Sequence, residues 1–167
     1  MSDLPPGWAE STIGEVTLPV EKHDPRKAPD SSIEYIDIGG IDGDRLRIAT
    51  TKSYSGEEAP SRARQLVRTG DTALSTVRVN LTKTAIVPAD LDGATASTGF
   101  SILRPCAAVV PEYLFHQVTA RRFVDRLSAM QTGSSYPAVR DRDVRGMRVV
   151  IPPLPEQHRI VAILDEA

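Results

Sequence analysis

Short strand-like apolar runs separated by polar turns occupy the middle of the chain, and a helical period follows Pro111. Ile33-Glu-Tyr-Ile-Asp-Ile38 reads as a strand through its β-branched and aromatic content. Gly39-Gly40 and Asp42-Gly43 are turn signals, and residues 45–49 resume the alternation with Leu46 and Ile48 on one side. The pattern therefore predicts a hairpin between these two runs. Residues 10–16 fit a short turn or strand around Gly14, and residues 19–30 and 50–60 read as polar loops. Residues 62–67 are ambiguous and fit a short helix. Residues 72–77 and 84–87 read as strands flanking a polar tip, and residues 97–103 as a strand whose early Gly99 marks a bulge.

One internal helix is predicted over residues 111–130. Tyr113, Phe115, Ala120, Phe123, Val124, Leu127 and Met130 share one half of its wheel, and Arg121, Arg122 and Asp125 the other. A flexible Gln131-Thr-Gly-Ser-Ser-Tyr-Pro137 loop follows. Residues 143–145 then lead into a last strand over residues 147–151. The closing segment, Ile151-Pro-Pro-Leu-Pro-Glu-Gln157 and onward, carries the signature of a helix start. Pro155 suits the first turn, where a backbone N–H has no partner, and Glu156 suits the positive end of the helix dipole. Ile160, Ile163 and Leu164 then form a short apolar stripe. Helices under about 12–15 residues are marginal alone, so this one is expected to continue or to pack on a partner. The fold class is α+β: a β-rich domain over residues 1–150 with one internal amphipathic helix, then the beginning of a long C-terminal helix over residues 151–167.

Composition narrows the classes. A chain of 167 residues with 40% hydrophobic content buries a core of its own. It has no apolar run of about 18 residues and a polar amino-terminal stretch, so neither a membrane span nor a signal peptide is expected. The single Cys106 excludes an internal disulfide and fits a reducing cytoplasm. His23, His116 and His158 are scattered without metal-ligand spacing. The net charge of −2 argues weakly against nucleic acid, but its distribution changes the picture. Residues 30–58 hold seven acids and three bases, residues 60–83 five bases and one acid, and residues 121–148 seven arginines and three aspartates. Arginine pairs bidentately with phosphate and guanine, so two arginine-rich blocks on an acidic chain point to an anionic partner.

No motif supports catalysis by this chain. Gly39-Gly40-x-x-Gly43 opens into no helical pattern and no phosphate-loop lysine follows, so it reads as a hairpin turn. Neither a Gly-x-Ser-x-Gly elbow nor an Asn-Pro-Pro-aromatic segment is present. Two stretches do carry recognition chemistry. Ser75-Thr-Val-Arg-Val-Asn80 places hydroxyls, an arginine and an amide at a strand tip, the groups that read base edges and hold phosphates; a well-capped hairpin is an equally good reading. Thr132-Gly-Ser-Ser-Tyr136 offers small residues for close approach and a tyrosine for stacking; a helix cap at Gly133 is compatible with that role.

In order and spacing these segments resemble the target-recognition half of a type I restriction-modification specificity subunit. The resemblance rests on Leu4-Pro-Pro-Gly-Trp8, Tyr35-Ile-Asp-Ile-Gly-Gly40, Pro60-Ser-Arg-Ala-Arg64, Gly70-Asp-Thr-Ala-Leu-Ser-Thr-Val-Arg78, Ala96-Ser-Thr-Gly-Phe100, Gln131-Thr-Gly-Ser-Ser-Tyr-Pro137 and Ile151-Pro-Pro-Leu-Pro-Glu-Gln157. It departs at Val79, where relatives often carry proline, which leaves the tip without a ring-fixed φ. It departs also in length, because full members carry two recognition domains separated by two long helices.

The resemblance implies a non-catalytic subunit in which each recognition domain reads one half of a split double-stranded DNA site. Modification subunits methylate adenine with S-adenosylmethionine, and restriction subunits cleave with ATP. No cofactor is therefore expected on this chain; S-adenosylmethionine, ATP and Mg belong to the partners, and a second half-subunit or self-dimer is a further candidate partner. By chemistry and loop position the candidate DNA-facing set is Arg62, Arg64, Thr76, Arg78, Asn80, Lys83, Ser134, Ser135 and Tyr136. Partner or dimer contact is assigned to Leu154, Ile160, Ile163 and Leu164. The alternative is a module that binds modification subunits without touching DNA.

Overall fold

The computed structural model describes residues 3–167; residues 1 and 2, the start of the polar opening, lie outside the described residues. In chain order the strands are β1 (Ala9–Thr12), β2 (Thr17–Leu18), β3 (Ser32–Ile36), β4 (Ile41–Asp42), β5 (Arg47–Ile48) and β6 (Lys52–Ser55). They continue as β7 (Ala63–Leu66), β8 (Thr72–Ser75), β9 (Thr84–Ile86), β10 (Thr95–Ser97) and β11 (Phe100–Pro105). Helices α1 (Pro111–Thr119), α2 (Arg121–Ser128) and α3 (Asp141–Arg145) follow, then β12 (Arg148–Ile151) and α4 (Leu154–Asp165).

Two four-stranded sheets stack, in the orders β6-β3-β10-β7 and β2-β11-β8-β9, and α1, α2 and α3 cover the outer face of the second. The β8–β11 pair is thus a middle layer, and its side chains alternate between two cores. Ala73, Phe100 and Ile102 point toward the first sheet, among Ile36, Val67 and Ala96. Leu74 and Leu103 point toward the helices, among Tyr113, Leu114, Phe123 and Leu127. Burial on both faces explains why all four residues of β8 are inaccessible, threonine and serine included. A clean inside-outside alternation belongs to strands with one wet face.

Four local expectations change. The hairpin forms only between β4 and β5, and β3 pairs instead with β6, which lies in the supposed polar loop. Ser53 and Thr51 supply hydroxyls to Glu34 across that pair, so polar residues fill a strand whose face is half-exposed. Residues 63–66 are strand rather than helix, because β7 is captured by β10. The run over residues 97–103 breaks at Thr98-Gly99 into β10 and β11, which enter different sheets. The single helix over residues 111–130 is two, broken at Ala120, whose ψ of 138° is extended. The break re-aims the second half so that Phe123 and Leu127 reach the core, while Met130 stays 42% exposed.

The C-terminal helix begins at Leu154 and docks on α1. Ile160 and Val161 pack against the helix-side core, whereas Leu154, Ile163 and Leu164 remain exposed. β1 pairs with β12, which holds residues 9–12 beside the strand that leads into α4.

Candidate nucleic-acid interface

Connections far apart in sequence meet at one end of the two sheets. The tip between β8 and β9 lies against the loop between α2 and α3. Val77 bridges Ala138, the Arg78 N–H donates to the Pro137 carbonyl at 2.8 Å, and the Val139 N–H to the Thr76 carbonyl at 2.9 Å. The turn between β10 and β11 joins from the other side. The Gly99 carbonyl accepts from both the N–H and the hydroxyl of Thr76, and the Thr98 N–H donates to the Arg62 carbonyl. These bonds gather residues 61–62, 76–82, 98–99 and 132–140 into one ledge.

The tip is held under strain. Arg78 and Thr82 flank the turn Val79–Leu81 with φ of 47° and 51°, left-handed values that cost a non-glycine residue about 1–3 kcal/mol each. Threonine, being β-branched, is an unusual occupant of that region. The side chain of Gln131 supplies part of the restraint, its Oε1 accepting from the Val79 N–H at 2.7 Å. Valine at position 79 keeps the donor that proline would lack, so a hydrogen bond fixes the tip in place of a ring. Thr82 adds a bond from its hydroxyl to the Gly43 carbonyl.

The nine candidates separate by what their polar atoms already do. Arg64 is half-buried, its guanidinium 2.9 Å from Asp24. Thr76 uses its hydroxyl on Gly99, and the Lys83 ammonium donates to the Ile41 carbonyl at 2.9 Å. These three hold the scaffold. Arg62, Arg78, Asn80, Ser134, Ser135 and Tyr136 are exposed. Arg78 lies 5.9 Å over the ring of Tyr136, with a guanidinium N–H donating to the Ser135 carbonyl at 3.3 Å. That stacking orients the fork while leaving other N–H donors outward. Tyr136 is 77% exposed, a large apolar body offered to a flat partner.

Thr98 and Arg140 are polar residues exposed at the ledge that the sequence-derived set did not include. Thr98 precedes a glycine between two strand-like runs, a turn signal that the bulge reading absorbed. Arg140 had no local signal, since Val139 next to it joins the ledge only through Thr76.

No family model matches the chain. The type I restriction enzyme HindI specificity subunit of Haemophilus influenzae is 22% identical over 161 residues, covering 94% of this chain and 34% of that protein. The crystal structure of the HsdS subunit from Thermoanaerobacter tengcongensis has a TM-score of 0.91 at 42% identity, over 99% of this chain and 43% of that one. A second solved chain, from work on complex assembly and conformational transition of the type I R-M system, gives a TM-score of 0.92 at 43% identity with the same coverage.

The chain's homologues and structural neighbours are specificity subunits of type I restriction-modification systems.

The M. genitalium S subunit, at 13% identity and a TM-score of 0.56, shares the fold. The α+β arrangement of stacked sheets, helices and a closing α4 is that of the matched region of these specificity subunits. The chain spans 34% of the curated relative and 43% of each of the two similar solved chains. Among the described residues no helix is long and apolar enough to cross a membrane, and no group of His, Cys, Asp or Glu is placed to hold a metal ion.

Proposed function

We propose that this chain is a target-recognition domain of a type I specificity subunit, reading one half of a split DNA site through the ledge. The observation that carries this reading is the convergence of Arg78, Asn80, Ser134, Ser135 and Tyr136, exposed and drawn from two loops far apart in sequence. Arginine, amide and hydroxyl groups on a strained, well-braced tip are suited to base edges and phosphates. Arg62, Thr98 and Arg140 widen the same surface. Arg64, Thr76 and Lys83 act by holding the ledge in shape.

In this reading residues 1–150 do the recognition and residues 151–167 begin the spacer. The chain is non-catalytic and carries no cofactor. Modification subunits supply the methyl transfer with S-adenosylmethionine, and restriction subunits the ATP- and Mg-dependent cleavage. The exposed Leu154, Ile163 and Leu164 favour a partner helix lying along α4, from a modification subunit or from a second recognition half.

Methylome sequencing of cells with and without the gene supplies the target, and duplexes carrying it then test the ledge. Arg78→Ala is expected to weaken binding to the target duplex by about 1–3 kcal/mol at fixed salt and to reduce preference over a scrambled duplex. Unchanged affinity for both duplexes would remove Arg78 from the reading set. A chain that co-purifies with the modification subunit yet binds no duplex at low salt would favour the protein-only module.

A further inference from the structure

Beside the ledge a hollow of about 390 Å³ lies between α2 and β12, and a second of about 350 Å³ adjoins it at Arg126, Met147 and Arg148 and reaches α3, the two together forming a groove. Arg122 and Arg126 on α2, Arg148 on β12 and Arg142 on α3 stand around it, and the largely buried Phe123, Met147 and Val149 form its floor. Its two carboxylates are already engaged. Glu10 pairs with Arg148 at 2.9 Å, and Asp143 accepts the Arg140 N–H at 2.8 Å. Arg121, on the outer side of α2, pairs with Asp125. Arg122, Arg126 and Arg142 are exposed and make no ion pair among the described residues. A backbone N–H does not neutralise Asp143, so four arginines stand against two carboxylates here, and the positive excess favours an entering anion.

We propose that this groove is a track for the phosphates of the DNA strand flanking the bases read at the ledge, an inference that rests on the ledge reading. The two surfaces are continuous. α2 ends against the tip, where Gln131 accepts from Val79. Arg126 lies two residues before the end of α2 and five before Gln131. Arg122 and Arg126 are four residues apart, ~6 Å along the helix axis. Neighbouring phosphates of one strand lie farther apart than the axial rise of ~3.4 Å, because the backbone winds around the duplex, so the pair suits adjacent phosphates. The planar guanidinium fork suits phosphate oxygens. Such contacts set register and affinity and carry no sequence information, which divides the work: the groove holds and the ledge reads.

The test is a salt series on the whole chain and on R122Q/R126Q/R142Q, with target and scrambled duplexes. All three side chains are exposed, and an unchanged thermal midpoint confirms the fold. The expected result is a loss of affinity by a similar factor on both duplexes with target preference kept. The slope of log affinity against log salt should become shallower by about 0.9 for each phosphate that is no longer neutralised, close to three in all. Arg78→Ala, in contrast, lowers preference. If the unsubstituted chain binds duplex and the triple variant keeps its affinity and slope, the phosphate track is wrong. If that variant instead loses co-purification with the modification subunit, the groove's occupant is an acidic protein surface and the proposal is likewise overturned. A chain with no salt-dependent duplex binding at all overturns the ledge reading itself.

Discussion

Arg104→Ala is expected to lower the unfolding free energy by about 3–5 kcal/mol, the cost of leaving one partner of a buried ion pair uncompensated. Asp71, 1% exposed, receives both arms of Arg104, Nε to Oδ1 at 3.0 Å and Nη2 to Oδ2 at 2.9 Å. The hydrogen bonds to Asp71, more than any other influence, raise the Arg104 pKa above its ordinary value. The pair closes the β8–β11 ladder at the Thr72–Leu103 end, and Arg104 also donates to the Leu66 carbonyl at the end of β7. It therefore ties the two sheets together at the end opposite the ledge. Chemical denaturation of the variant checks the size of the loss. R104M/D71L is expected to recover most of it, since two apolar groups in place of a buried pair are often near neutral. Recovery should be incomplete because Asp71 also accepts the Arg68 N–H, which loses its acceptor. A loss below about 1 kcal/mol for Arg104→Ala, the range of exposed pairs, would show that the site is effectively solvated.

Gln157→Leu is the second large effect. Gln157 is fully buried, and its amide makes three hydrogen bonds: Oε1 accepts from the Val110 N–H at 2.7 Å, and Nε2 donates to the Ala108 and Pro152 carbonyls at 2.9 and 2.8 Å. Leucine keeps much of the volume and orphans three backbone groups. At about 1–3 kcal/mol for each unsatisfied buried group, partly relieved by local opening to water, the expected loss is ~3 kcal/mol. For a domain of this size the midpoint should fall by on the order of 10 °C. Amide exchange should locate the effect, with α4 and the start of α1 losing protection before the sheets. Uniform loss of protection across the chain would instead mean that α4 and the sheets unfold together.

Glu156 shows the limit of a purely local argument about the same segment. It sits in the first turn, as its charge predicts, and its carboxyl is held below the usual range chiefly by the hydrogen bond from Arg159. Both groups are surface groups, and such pairs add little to stability. The neighbouring glutamine, neutral and without a helix-start signature, carries the anchoring.

Sequence alone was enough for the features set by local chemistry. Pro155 and Glu156 announced the start of α4, the β-branched content of residues 33–36 announced β3, and the polar tip between β8 and β9 was visible because strand patterns flank it. The ordered set of short motifs pointed to type I specificity subunits, which the similar proteins bear out. Pairing was not legible. β6 is polar and β7 arginine-bearing, and each is a strand only because a neighbour from elsewhere in the chain satisfies its backbone. Nor could the sequence distinguish Arg64, spent on Asp24, from Arg78, stacked on Tyr136 and facing outward, since both are arginines in basic loops. Local propensity acts through the chemistry of adjacent residues, so composition and motif order determined the class of this protein and the position of its turns. Which arginines remain free, how the ledge assembles, and why a twelve-residue α4 holds were decided only when residues such as Thr76, Val139 and Gln157, distant in sequence from their partners, met them in three dimensions.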